Sequence, residues 1–332
     1  MCAIYFGANH KGNAEDFRTG LIRRYWKYQR ESYPDIENYF DRASASDRRP
    51  PVFLPNKADH NVITKPDAEA GEVGKLLSFM PASERHKWFR SMNSSQALAA
   101  SLFGNLAVYG ALNCLSELQD DAGRELTAGA DLTSSNFSME HKVDYLGEQR
   151  QTSIDVYVGG NYRLALECKF AEVEVGACSR PHLRLNDSNY ERDFCNGTYT
   201  PQRGRKESCS LTEVGVKYWR YVPQLFKWPN EMSSTACPLY KTYQLVRNVL
   251  AVAVTPGGAV SAHSGHAILI YDERNPAFGS NGKGLEAYTQ TQRALHEPGM
   301  LRKCSWQRIV QHIRSRKLLP WLTERLALKY GL

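Results

Sequence analysis

Long apolar runs are absent from this sequence of 332 residues. Its most apolar stretch, NVLAVAV over residues 248–254, falls far short of the roughly 20 residues that a membrane-spanning helix needs. The opening, MCAIYFGANHKGNAEDF, places no basic segment ahead of an apolar one, so no secretory leader is expected. Together these absences point to a cytoplasmic protein with no membrane partner. A disulfide framework is then excluded, and the eight cysteines are expected to be reduced thiols or metal ligands. No CxxC pair occurs and the gaps between cysteines are long, which weighs against the common zinc-site spacings. Internal repeats and low-complexity tracts are missing too, which excludes a solenoid. GSNGKG, residues 279–284, lacks the full GxxxxGK[ST] spacing and no strand leads directly into it. It is read as a flexible loop, not a phosphate loop.

What remains is enough chain for one large domain or two modest ones with a real core. A hydrophobic content of 42% and a charged content of 23% are those of a soluble globular protein. The formal net charge of +7 favours an anionic partner. Basic residues crowd one early segment, FRTGLIRRYWKYQRESYPDIENYF. There Leu21, Trp26 and Tyr28 alternate with Arg18, Arg23, Arg24, Lys27 and Arg30. A helix with aromatics inward and arginines outward fits this pattern, either as a solvated face or as a surface that tracks phosphates. The proline-rich stretch RRPPVFLPNKADHNVITKPDAEAGE after it reads as an extended connection.

Periodicity organises the rest. NSSQALAASLFGNLAVYGALNCL, residues 93–115, predicts a helix. Asn93, Ser94 or Ser95 caps it, and its apolar stripe runs through Leu98, Leu102, Leu106, Tyr109 and Leu112. Gly104 and Gly110 weaken its propensity, so packing must hold it. Three strands follow: SNFSMEHKVDYLG, then SIDVYV and YRLALECKF as a hairpin around Gly159-Gly160-Asn161. Residues 171–240 read as an irregular insertion with four cysteines. LYKTYQLVRNVLAVAV then resumes a helix, HAILIYDE is a strand, and SWQRIVQHIRSRKLLPWLTERLALKYGL is helical with a break before Pro320. The expected divisions are a basic, aromatic extension over 1–90, a core over 91–272 with its insertion at 171–240, and a helical extension over 273–332.

Within the hairpin three charges interrupt strands that otherwise suit a core: Asp155, Glu167 and Lys169. Positions i and i+2 of a strand share a face about 6.6 Å apart, so Glu167 and Lys169 project together. Leu164, Leu166, Cys168 and Phe170 face the other way. On the partner strand Ile154, Val156 and Val158 point one way and Asp155 the other; it joins the face of Glu167 if the register permits. Two carboxylates and an ammonium on one sheet face are costly unless something uses them. A divalent ion would: Asp155 and Glu167 suit Mg²⁺, an acidified water could attack a phosphodiester, and Lys169 could orient or deprotonate it or offset growing charge. Glu140, on the preceding strand, is a candidate further ligand.

Asp155 followed by Glu167-Cys168-Lys169 resembles the D…(D/E)xK signature of the PD-(D/E)xK, restriction-endonuclease-like nucleases, with Ile154 standing where the family name has proline. SSQALAASLFGNL, the ECK strand and YQLVRN together are similar to a bacterial family of restriction-endonuclease type. The resemblance implies an α/β fold whose core runs helix, three-stranded antiparallel meander, helix and further strand, here with helical extensions at both ends. It also implies a DNA endonuclease that uses Mg²⁺, with Mn²⁺ able to substitute, and catalytic residues Asp155, Glu167, Lys169 and Glu140. Gln244 corresponds to a glutamine that recombination-type members carry near the site, and could position the scissile phosphate or a water. The partner implied is double-stranded DNA, met by a monomer or a homodimer. Alternatives are a repair or recombination nuclease, an exonuclease, or a DNA-binding module without turnover. Ser95 and Gln96 are read as helix caps first and substrate contacts second.

Three further readings complete the set. Cys178, Cys195, Cys209 and Cys237 lie together in the insertion. They are either buried free thiols or ligands of Zn²⁺ or an iron–sulfur cluster that organises the segment. His263 and His266 flank a turn and are expected to have surface or turn roles. Arg314, Arg316 and Lys317 in the C-terminal helices are expected to hold the duplex.

Overall fold

The computed structural model describes residues 14–42, 48–148, 153–188, 190–228 and 236–332. Residues 1–13, on which much of the leader expectation rests, lie outside that set. Five strands form one sheet in the order β1-β2-β3-β4-β5: β1 Phe137–Lys142, β2 Ser153–Val158, β3 Arg163–Cys168, β4 Gly265–Tyr271 and β5 Leu301–Ser305. The first three pair antiparallel as the expected meander. β4 returns parallel to β3, and β5 extends the sheet in parallel. The chain crosses from β3 to β4 by way of the Leu239–Ala253 helix, and a parallel pair requires such a crossover.

Two buried clusters cover the sheet. Even-numbered β3 residues Leu164, Leu166 and Cys168, with Phe170, pack with Val156 and Val158 beneath the Ala14–Ser32, Trp306–Ser315 and Pro320–Tyr330 helices and the segment from Ser95. Ala165 packs on the other face with Leu245, Val249 and Val252 of the Leu239–Ala253 helix. The result is a helix–sheet–helix sandwich. Residues from the first ninety and the last sixty share the first cluster: Leu21, Tyr25 and Tyr28 meet Leu322, Leu326 and Tyr330. The first helix keeps Arg18, Arg23, Arg24, Lys27 and Arg30 exposed while Leu21, Tyr25 and Tyr28 are buried.

Several elements differ from the sequence expectation. The helix expected over 93–115 is α-helical over Ser95–Ala99, π-helical over Ala100–Gly104 and α-helical again over Asn105–Val108. It ends near Gly110, whose φ of +65° suits a glycine C-cap. Gly104 lets Leu76 approach closely, because a Cβ there would stand 2.6 Å from Leu76 Cδ1. Ser94 is the cap, accepting the Ala97 N–H at 3.2 Å. Ile154 joins the second cluster, apart from Val156 and Val158. GSNGKG is a packed helix start: Gly282 caps the Lys283–Ala294 helix, and a Cβ on it would stand 2.2 Å from Ala277 O. His266 is fully buried in β4, with Nε2 2.7 Å from Leu126 O and Nδ1 2.9 Å from the Tyr162 hydroxyl. Burial lowers its pKa to about 3, so it is a neutral core histidine and not a turn residue. His263 is exposed.

Candidate active site

Strand pairing gathers the acidic residues. In the β2–β3 ladder Val156 stands opposite Leu166 and Tyr157 opposite Ala165, so the next step sets Asp155 across from Glu167. Residues opposed in an antiparallel pair share a face. On β1, the pairs Met139–Val156 and His141–Ile154 leave Glu140 across from Asp155. Three carboxylates therefore stand in a row over three neighbouring strands. Asp155 Oδ2 accepts the Cys168 N–H at 2.6 Å, which ties the carboxylate to β3. Glu140 adopts φ +49°, a conformation that costs a non-glycine residue free energy, and its carboxylate accepts the Ser153 hydroxyl.

Electrostatics follow from this crowding. Burial raises the Asp155 pKa well above the usual carboxylate value, and the Glu167 and Glu140 charges raise it further. Glu140 is raised by burial as well, with Glu167 adding to the shift and bonds from Ser153 and Gln96 opposing it. Burial alone would lower the Lys169 pKa, but Glu167, Glu172 and Asp155 outweigh it and the net shift is upward. In the protein as it stands Lys169 is therefore an ammonium.

Glu167 is held on both oxygens. Lys169 Nζ lies 2.7 Å from Oε1, while Arg247 Nη2 at 3.1 Å and Asn248 Nδ2 at 3.0 Å donate to Oε2. Arg247 Nε also donates to Asn248 Oδ1 at 3.0 Å. Carboxylate, guanidinium and amide are all buried, and a buried ion pair survives only when its remaining hydrogen-bonding groups are met in this way. Gln244, one turn earlier on the same helix, accepts from Lys169 Nζ at 2.9 Å. The backbone at Gly176 makes room for it: φ there is +103°, and a Cβ would stand 1.8 Å from Gln244 Oε1. Tyr243, next to Gln244, donates its hydroxyl to Glu148 at 2.8 Å, and Tyr218 also donates to that carboxylate.

The cluster opens on a cleft of about 880 Å³. Glu140, Asp155, Lys169 and Gln244 form its floor, and Arg18, Arg49 and Trp88 line it as well. Arg18 and Arg49 are exposed, and Trp88 is 59% exposed. Ser95 donates its hydroxyl to Glu172 Oε1 at 2.6 Å, and the Phe170 N–H donates to the other oxygen at 2.6 Å. Gln96 accepts the His86 N–H at 2.9 Å and donates to Glu84 O at 3.1 Å. Both residues thus bind protein groups at the cleft edge and do not cap the helix.

The structure brings together Asp155, Glu167, Lys169, Glu140 and Gln244. It does not bring Arg314, Arg316 or Lys317 to this cleft; Arg314 donates to Leu332 O and Arg316 pairs with Glu117. Cys178, Cys195, Cys209 and Cys237 are free thiols that do not line the cleft. Among the described residues, no group of three or more His, Cys, Asp or Glu side chains is arranged to hold a metal ion. Asp155 and Glu167 could hold one as a pair, because Mg²⁺ is bound by one or two carboxylates and keeps several waters. Sequence reasoning missed Arg247, Asn248 and Glu172 as site residues. The pairs Tyr243/Arg247 and Gln244/Asn248 at i and i+4 were the available signal, since they align two polar rows on one helix.

The chain, a mixed α/β protein, belongs to a restriction endonuclease family, as a match to the family model shows. Residues 23–331 match the family model described as Restriction Endonuclease associating with ARP. No curated protein and no solved structure matches the chain. No helix among the described residues is long and apolar enough to cross a membrane.

Proposed function

We propose that the protein is a Mg²⁺-dependent DNA endonuclease of restriction type, built on a restriction-endonuclease-like core. The observation that carries this reading is Asp155 Oδ2 bound to the Cys168 N–H at 2.6 Å, between Glu167 and Lys169 in the chain, with Lys169 Nζ 2.7 Å from Glu167. Asp155 and Glu167 would hold the cation, with Glu140 supporting them directly or through water. When bound, Mg²⁺ would relieve the repulsion among these carboxylates, acidify the attacking water and polarise the scissile phosphate.

The chain's own groups account for the remaining work. The Lys169 ammonium has donor capacity beyond its bonds to Glu167 and Gln244, so it could donate to the attacking water or to the phosphate oxygens as charge grows on them. Gln244 fixes the direction of that ammonium through its 2.9 Å hydrogen bond. Arg247 and Asn248 hold the Glu167 carboxylate in one orientation, so little rearrangement is needed at the moment of reaction. Arg18 and Arg49 offer charge to the DNA backbone along the cleft, and exposed Trp88 offers an aromatic face.

Supercoiled and linear DNA incubated with Mg²⁺, Mn²⁺ or EDTA test the proposal. Magnesium-dependent nicking or linearisation of the circle, lost with EDTA and in Glu167→Gln, is expected. Degradation of linear DNA with circles spared would point instead to an exonuclease. Salt-sensitive binding with no cleavage of any substrate would leave a DNA-binding module.

A further inference from the structure

His86 lines the same cleft as Glu140, Asp155, Lys169 and Glu172, and its imidazole is exposed there. The chain fastens its backbone from two sides. Its N–H donates to Gln96 Oε1 at 2.9 Å, and its carbonyl accepts the Phe89 N–H at 2.8 Å. Phe89 is buried, and the buried Asn61 donates through Nδ2 to Phe89 O at 2.5 Å and to Ser91 O at 2.7 Å. A path of bonds joins this turn to the strand that leads into Lys169. Ser95, beside Gln96, donates to Glu172, which also accepts the Phe170 N–H one residue past Lys169. The imidazole is thus presented from a fixed support, as a substrate contact of defined direction requires.

The bonding of the ring fixes which nitrogen can reach substrate. Nδ1 accepts the Trp88 N–H at 3.3 Å, so it carries a lone pair and no proton. A neutral imidazole then has its hydrogen on Nε2. Among the described residues, no protein group accepts from that Nε2. Burial and the Lys87 charge lower the pKa of the ring, with Glu172 opposing, which favours the neutral form. A neutral N–H without an acceptor suits a partner that only accepts. Phosphate oxygens only accept, whereas base edges mix donors and acceptors, and at least half of protein–DNA hydrogen bonds go to phosphate and sugar. Arg18 and Arg49 in the same cleft favour the same partner.

On the endonuclease reading, we propose that His86 donates its Nε2–H to a non-bridging oxygen of the DNA phosphate next to the one that is cut, and so positions the strand over Asp155 and Glu167. Because the donor is neutral, the contact adds direction without releasing a counterion, unlike the contacts of Arg18 and Arg49. The Trp88 N–H holds the ring in the tautomer that can make it.

The test measures binding and cleavage of short duplexes that carry one methylphosphonate, which removes a charged phosphate oxygen, at each position around a bond mapped as cut by the wild type. His86→Asn keeps an acceptor for the N–H two residues on but has no donor at the Nε2 position; His86→Gln supplies one. His86→Asn is expected to weaken DNA binding about 3- to 10-fold with an unchanged salt slope, and His86→Gln to recover most of that loss. At one phosphate beside the cut, methylphosphonate and His86→Asn together should cost no more than either alone. Multiplicative losses at every position, a glutamine variant no better than the asparagine one, wild-type affinity in His86→Asn, or a salt slope lower by about 0.9 would each overturn the proposal. Those results leave magnesium-dependent cutting by the wild type in place. A wild type that cuts no DNA would instead overturn the endonuclease reading and this contact with it.

Discussion

Gln244 Oε1 lies 2.9 Å from the Lys169 ammonium, although 75 residues separate them in sequence. Lys169 is thereby held between two acceptors, Gln244 and Glu167, at the floor of the cleft. Removing the amine should stop chemistry without disturbing the surfaces that meet DNA. Lys169→Ala is expected to lower the single-turnover cleavage rate by about 10²–10⁴-fold, with the DNA dissociation constant changed by less than about threefold. Cleavage near the wild-type rate would remove Lys169 from the mechanism.

Gly176 decides where Gln244 can sit. A methyl group there would stand 1.8 Å from Gln244 Oε1, on a backbone with φ +103°. Gly176→Ala is expected to displace the glutamine and to cost about 1–3 kcal/mol of stability from backbone strain. Its cleavage rate should fall to that of Gln244→Ala, and the double variant should be no slower than either single one. Independent, multiplicative losses would show that the two positions do not act together.

Arg18 and Arg49 are exposed charges on the cleft wall. Each DNA phosphate that is no longer neutralised should lower the slope of log affinity against log salt by about 0.9. Arg18→Ala with Arg49→Ala should therefore flatten that slope by about 2. Fluorescence anisotropy over a salt series measures it, and an unchanged slope would place the DNA elsewhere.

Lys329 offers a stability test apart from the cleft. It is buried, donates to Asn61 Oδ1 at 2.8 Å and to Asn61 O, and burial lowers its pKa to about 7. Unfolded lysine titrates near 10.4, so between these values the unfolded chain binds the extra proton. This contribution therefore rises with pH from about 7 to about 10 and is lost as pH falls through that window. The slope is about 1.4 kcal/mol per pH unit. Urea unfolding of wild type and Lys329→Met between about pH 7 and pH 9 isolates it; parallel curves would refute the titration.

How much of this was legible in the sequence depended on whether neighbours were local. The hairpin was readable because alternation and Gly159-Gly160-Asn161 sit within twenty residues, and that hairpin brings Asp155 to Glu167. β5 was not, because LRKCS is short and carries no alternation; its strand character comes from pairing with β4. His266 misled for a similar reason, since its partner Leu126 O lies 140 residues away. Arg247 and Asn248 read as the polar edge of a helix until the fold placed Glu167 beneath them. The π-helical segment at Ala100–Gly104 also has no local cause in the sequence: it sits where Gly104 must accept Leu76 from another helix.

Phe170, the residue after Lys169, packs edge-on against Tyr330 with ring centroids 5.4 Å apart. On the ribosome, the Pro320–Tyr330 helix emerges about 150 residues later than β3. The underside of β3 packs on the Ala14–Ser32 helix and the segment from Ser95, which precede it, but Phe170 gains its contact with Tyr330 only later. A strand made early thus waits for a later helix to meet its apolar face, so contacts far apart in sequence brace the strand that leads into Lys169.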